Sequence, residues 1–121
     1  MTTINKNKEF NYDDIKIGYY DRIYKKKSGI QSAWHNIKFR YVKNEINQRN
    51  THLDIGCGPG TFLSLLKNKK CYGMDIAKKQ IKYAKKKYSS KSKRFEIMSK
   101  NEIPLKSSSL DSISLIEIIE H

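Results

Sequence analysis

The chain has 121 residues and a formal net charge of +13 at pH 7. That length fits one domain and leaves no room for two. No stretch approaches the roughly 18 consecutive apolar residues of a spanning helix, and the N-terminal MTTINKNKEF lacks the apolar core of a secretory signal. Two cysteines, Cys57 and Cys71, make neither a disulfide framework nor a zinc site by themselves. The expectation is a soluble cytoplasmic protein.

The positive charge is concentrated in residues 51–94, which carry a net +10, whereas residues 95–121 carry a net −3. A basic body attracts nucleic acid. Yet 21 of the 25 basic residues are lysine, and phosphate and base recognition favour the planar fork of arginine. A solvated lysine surface is therefore preferred, with nucleic acid kept as an alternative partner.

Residues 1–11 are polar. From Tyr12 to Asn47 the pattern is mostly helical, with a break at Lys25-Lys26-Lys27-Ser28-Gly29. Beyond it Ile30, Trp34, Ile37 and Tyr41 recur at helical spacing, the mark of an amphipathic helix packed on a core. Thr51 to Ile55 reads as a short strand running into Gly56-Cys57-Gly58-Pro59-Gly60, and Thr61 to Leu66 as a helix after it. Cys71 to Asp75 is a second strand. Ile76 to Tyr88 is an amphipathic helix with Ala77, Ile81, Ala84 and Tyr88 on one face and six lysines on the other. Phe95 to Met98 is a third strand, and Leu110 to Ile119 a fourth, strongly apolar one. Strands alternating with helices predict an α/β fold with a parallel sheet.

Glycines between a strand and a helix let a backbone approach a ligand closely. Asp75 closes the next strand, 21 residues after Asp54. About 20 residues is the spacing of a carboxylate that grips ribose hydroxyls. The absence of G-x-x-x-x-G-K-[ST] excludes a phosphate-binding NTPase loop, and the spacing is G-x-G-x-G instead of the dinucleotide G-x-G-x-x-G. Asp54 stands two residues before the first glycine. A carboxylate there repels a pyrophosphate and suits a cationic ligand.

With these residues the chain resembles the class I S-adenosylmethionine-dependent methyltransferases. The first motif stands as Leu53-Asp54-Ile55-Gly56-Cys57-Gly58-Pro59-Gly60 and the second as Gly73-Met74-Asp75. Asn101-Glu102-Ile103-Pro104-Leu105, followed by Ser109-Leu110-Asp111-Ser112-Ile113, is similar to a further stretch of that family. The resemblance implies a Rossmann-like methyltransferase fold whose seven strands lie in the order 3-2-1-4-5-7-6. Strands one to four would be present here. Residues 1–50 would form an N-terminal helical or lid segment, and residues 51–121 the cofactor-binding half. On this reading the chain is the N-terminal part of a longer domain, and its fourth strand a bare apolar edge.

The resemblance also assigns roles. Asp54, Gly56, Cys57, Gly58 and Gly60 would surround the methionine portion of S-adenosyl-L-methionine, with Asp54 near the ammonium. Asp75 would bind the ribose hydroxyls and Ile76 would pack on adenine. Ser99 and Lys100 fall where the family often places an Asp-Ala pair near the adenine amino group, and Ser99 departs from it in being uncharged. Cys57 reads as a small filler, with no basic partner to make it a nucleophile.

The acceptor side is less legible. Tyr19, Tyr20, Tyr24, Trp34 and His35 could line it, or could pack ordinarily within amphipathic helices. Glu117, Glu120 and His121 would share one face of a helical turn, as base and orienter or as metal ligands. This E-x-x-E-H is similar to metal-dependent small-RNA 2′-O-methyltransferases, to O-methyltransferases of ubiquinone synthesis, and to methyltransferases without a metal. The expectation is methyl transfer to a small-molecule acceptor, at oxygen. The alternatives are an RNA methyltransferase and a cofactor-binding module without activity.

Overall fold

The computed structural model describes residues 15–68, 70–99 and 110–116. Two helices come first, α1 (Tyr19–Lys26) and α2 (Ile30–Glu45). The break between them holds Lys27 and Gly29, both with positive φ. There follow β1 (Thr51–Ile55), α3 (Thr61–Ser64), β2 (Lys70–Asp75), α4 (Lys78–Tyr88), β3 (Lys93–Ile97) and β4 (Ser112–Ser114). The strands form one sheet in the order β3-β2-β1-β4. Every pairing is parallel, with His52 opposite Cys71 on β2 and opposite Ser112 on β4.

The order 3-2-1-4 is the first part of the expected seven-strand order. Among the described residues β4 is a sheet edge, with Ile113 and Leu115 exposed. The strand is shorter than the expected Leu110 to Ile119: Leu110, Asp111, Leu115 and Ile116 lie outside it, and 117–119 lie outside the described residues. The helix expected from Ile76 begins at Lys78. Asp75 is the cause: its carboxylate accepts the backbone N–H of Ala77 and holds the chain in a turn before the helix starts.

The core lies where α2, α3 and α4 meet the sheet, around Phe39, Phe62, Leu63, Ile81, Ala84 and Phe95. Close approach is made possible by Gly73 and Gly60. A Cβ at Gly73 would fall 2.7 Å from the Phe95 ring and 2.8 Å from Leu63. At Gly60, φ is +85°, and a Cβ would meet the same ring at 2.8 Å. On α4, Gln80, Ile81 and Ala84 are buried, and the six lysines expected on its outer face are exposed.

One expectation is corrected. The stripe Ile30, Trp34, Ile37 and Tyr41 faces outward, with exposures of 89, 55, 62 and 71%. The buried face of α2 is instead Ser32, His35 and Phe39. Ser32 allows α1 to approach and donates its hydroxyl to the Tyr24 carbonyl. Phe39 stacks obliquely on Tyr24 and Phe62, with ring centroids 5.4 and 5.3 Å apart. Hydropathy spacing reports a stripe, but the neighbour decides which side is packed.

α1 is tied to the rest by a carboxylate. Asp21 is fully buried and accepts hydrogen bonds from the hydroxyls of Thr61, Tyr83 and Tyr88, each at 2.7 Å. Lys87 Nζ donates at 2.9 Å, and Lys25 Nζ lies at 3.3 Å. Burial alone would raise this carboxyl, but the bonds from Lys87, Tyr88, Tyr83 and Thr61 outweigh it and hold it well below the usual carboxylate range. A lowered carboxyl stabilises the fold fully above its unfolded value of about 4, and this contribution fades as pH falls below that value. Asp21→Asn is expected to cost about 1–3 kcal/mol at neutral pH. It should also remove part of the destabilisation expected below pH 4. Urea titrations of both proteins across pH 2.5–7 check both effects.

Candidate cofactor site

The site grows from the end of β1. Gly56, Gly58 and Gly60 all have positive φ, which winds the chain into a tight loop between β1 and α3. The loop is fastened to β2. The N–H groups of Gly56 and Cys57 donate to the Met74 carbonyl at 2.7 and 3.1 Å, and Gly58 N–H donates to Asp75 Oδ2 at 2.7 Å. The other Asp75 oxygen accepts from Ala77 N–H at 2.9 Å. Burial pushes the Asp75 carboxyl up, and the N–H donors of Ala77, Gly58 and Ile76 oppose that rise. Each carboxylate oxygen has a second lone pair, so acceptor capacity remains for ligand hydroxyls.

Asp54 stands on the adjacent strand. Its Oδ1 accepts the Ser114 hydroxyl at 2.7 Å, and Ser114 in turn lies 2.8 Å from His52 Nε2. Asp54 and Asp75 open on one cleft of about 250 Å³ at the carboxyl ends of β1 and β2. Gly56, Cys57, Gly58, Ile76 and Met98 also line it, and Ile15, Tyr20 and Phe39 wall it from the N-terminal side. A Cβ at Gly58 would meet no protein atom within 4 Å, so bare backbone faces open space there. Burial, with the carboxylates of Asp54 and Asp75 nearby, pushes the Cys57 thiol well up. It therefore stays a thiol, in keeping with a filler.

The structure brings together Asp54, Gly56, Cys57, Gly58, Asp75 and Ile76 around the cleft. Gly60 sits at the start of α3 against Phe95 instead of on the cleft wall. Ser99 is exposed and is not among the cleft-lining residues, where Met98 stands. Lys100, Glu117, Glu120 and His121 lie outside the described residues. Of the N-terminal aromatics, Tyr20 reaches the cleft, Tyr24 packs on Phe39, and His35 lies between Tyr20 and Phe39 at 5.8 and 5.7 Å. Trp34 is on the surface, its ring under Lys38 Nζ at 5.7 Å. Ile15 and Phe39 are cleft residues that the sequence did not single out. Gln80 holds Ile15 and Lys16 in place: its Oε1 accepts Gly18 N–H, and its Nε2 donates to both carbonyls.

A parallel sheet, a positive-φ glycine turn and an acid closing the next strand define a Rossmann-like nucleoside-binding domain. The profile of the family described as "Methyltransferase domain" matches residues 53–121, and the chain belongs to that family. Solved structures agree in fold. The chain is 17% identical to a Haloferax volcanii methyltransferase solved with its Trm112 activator, covering 79% of this chain and 42% of that one, with a TM-score of 0.60. A SAM-dependent methyltransferase from Aquifex aeolicus is 23% identical, over 78% of this chain and 54% of that one, with a TM-score of 0.54. A Listeria monocytogenes structure described as a S-adenosylmethionine-dependent methyltransferase is 22% identical, over 63% and 38%, with a TM-score of 0.54. The chain thus spans about half or less of the structures it matches. No curated protein sequence matches it.

The family implies S-adenosylmethionine as cofactor. The cleft fits such a group. Two carboxylates suit an ammonium and a pair of ribose hydroxyls, bare glycine backbone permits close contact, and Ile76 and Met98 offer an apolar wall. Among the described residues no helix is long and apolar enough to cross a membrane, and no group of three or more metal-ligating side chains occurs.

His52 is fully buried beside this site, and burial pushes its pKa down to about 4. A depressed histidine contributes stability above its unfolded pKa of about 6.5, and that contribution is lost as pH falls towards 4. His52→Gln is expected to be less stable at pH 7 but to show a flatter loss between pH 6.5 and 4. Unfolding midpoints across that range check it.

Proposed function

We propose that the domain binds S-adenosylmethionine for methyl transfer to an oxygen atom of a small-molecule acceptor. The observation that carries this reading is the pair Asp54 and Asp75, on adjacent parallel strands and facing one cleft across the glycine loop. In this reading Asp54 takes the ammonium of the cofactor, and Asp75 accepts hydrogen bonds from its ribose hydroxyls. The loop from Gly56 to Gly60 passes beneath the methionine portion, and Ile76 packs against adenine. Residues 1–50 serve as a lid, and Ile15, Tyr20 and Phe39 keep water from the cleft on that side.

When bound, the cofactor supplies a methyl group already activated by its sulfonium charge. The protein's task is then mainly to align an acceptor behind that carbon, and orientation of this kind contributes up to roughly 7–11 kcal/mol. A base is needed only where the acceptor must lose a proton. Glu117, Glu120 and His121 follow β4 and are proposed as base and orienter for the acceptor hydroxyl.

Asp75→Ala is expected to weaken S-adenosylmethionine binding about 10- to 100-fold, from the loss of two hydrogen bonds to a charged acceptor. Calorimetric titration of the purified protein measures this. Unchanged affinity would remove the ribose role. Transfer of a labelled methyl group to RNA, and not to small hydroxyl compounds, with steep salt dependence, would replace the small-molecule reading.

A further inference from the structure

The interior carries a polar chain that the binding roles above do not use. In the parallel register of β1 and β4, His52 is opposite Ser112 and Asp54 is opposite Ser114. The four side chains alternate with Leu53 and Ile113, so they share one face of the two strands. His52 Nδ1 lies 2.7 Å from Ser112 Oγ, His52 Nε2 lies 2.8 Å from Ser114 Oγ, and Ser114 Oγ lies 2.7 Å from Asp54 Oδ1. His52, Asp54 and Ser114 are all buried, at 0, 3 and 6% exposure.

The direction of each bond follows from the end of the chain. An ionised carboxylate only accepts, so the Ser114 hydroxyl must donate to Asp54. Ser114 Oγ is then left to accept, and His52 must carry its proton on Nε2. The unprotonated Nδ1 accepts in its turn from the Ser112 hydroxyl. All three hydrogen bonds point the same way, towards Asp54. Bonds aligned like this polarise one another in a low-dielectric interior.

We infer that Ser114, backed by His52 and Ser112, is a positioning residue for Asp54, fixing the carboxylate that meets the ammonium of the cofactor. This rests on the proposed ammonium role of Asp54. Ser114 does not touch the cofactor in this reading. It restrains one carboxylate oxygen, and thereby sets the direction in which the group presents itself to the cleft.

The test separates ligands that carry the ammonium from ligands that lack it. S-adenosylhomocysteine has the whole amino-acid portion, whereas 5′-methylthioadenosine has the nucleoside and no ammonium. Ser114→Ala is expected to weaken S-adenosylhomocysteine about tenfold and to leave 5′-methylthioadenosine within twofold, by calorimetry on the purified protein. Ser114→Thr, which keeps the hydroxyl, should restore most of the difference. Ser114→Cys, near in size and a poor donor, gives the same selective loss should the alanine variant not fold. Equal weakening of both ligands, or none of either, overturns the positioning role. Asp54→Asn is run alongside. If it too fails to discriminate the two ligands, the ammonium reading of Asp54 is at fault. If it discriminates and the Ser114 variants do not, the positioning inference alone is at fault.

Discussion

The site depends on the fastening of the glycine loop to the end of β2. Three backbone N–H groups from Gly56, Cys57 and Gly58 are taken up by the Met74 carbonyl and the Asp75 carboxylate. A tight loop of positive-φ residues buries backbone donors that would be costly if left unpaired. Here the neighbouring strand supplies the acceptors. The acid expected to hold a ligand is therefore also part of the scaffold. The loop and the acid are set relative to one another by a single bond of 2.7 Å, which fixes the cleft before anything enters it.

From this fastening the remaining parts fall into place. Asp75 also takes the Ala77 N–H, so α4 starts only at Lys78 and leaves Ile76 at the cleft wall. α4 then carries Gln80 back to the N-terminal segment, where it grips the backbone at 15–18 and sets the opposite wall. On the other side of β1, the parallel pairing with β4 brings Ser114 to Asp54. The N-terminal wall and the Asp54 side are thus positioned by polar contacts between segments far apart in sequence, and the apolar core packs α2, α3 and α4 against the sheet.

Much of this was legible in the residues. Three positive-φ glycines, a strand before them and an acid at the next strand end carry their chemistry locally, so spacing alone reveals them. The strand order followed from the family resemblance. The packed side of α2 was not legible, because Ile30, Trp34, Ile37 and Tyr41 form the more hydrophobic stripe while a serine, a histidine and a phenylalanine do the packing. Asp21 was equally hidden, since its five polar partners come from α1, α3 and α4 and share no sequence period. The ladder from Ser112 to Asp54 did leave a trace. His52-x-Asp54 and Ser112-x-Ser114 are two strands with polar residues at alternate positions. In neighbouring strands, such matched alternation is consistent with a buried polar pairing.

The knot around Asp21 has a consequence for how this sequence is free to drift. Thr61, Tyr83, Tyr88 and Lys87 each satisfy the same two oxygen atoms, so no one of them is neutral while the others stay. A loss at one position changes the value of the rest. Tolerated change here would come as a joint replacement of the carboxylate and its donors by an apolar cluster. Stepwise substitution passes through a stranded charge. The lineage of the N-terminal helix is thereby bound to that of the helix after β2.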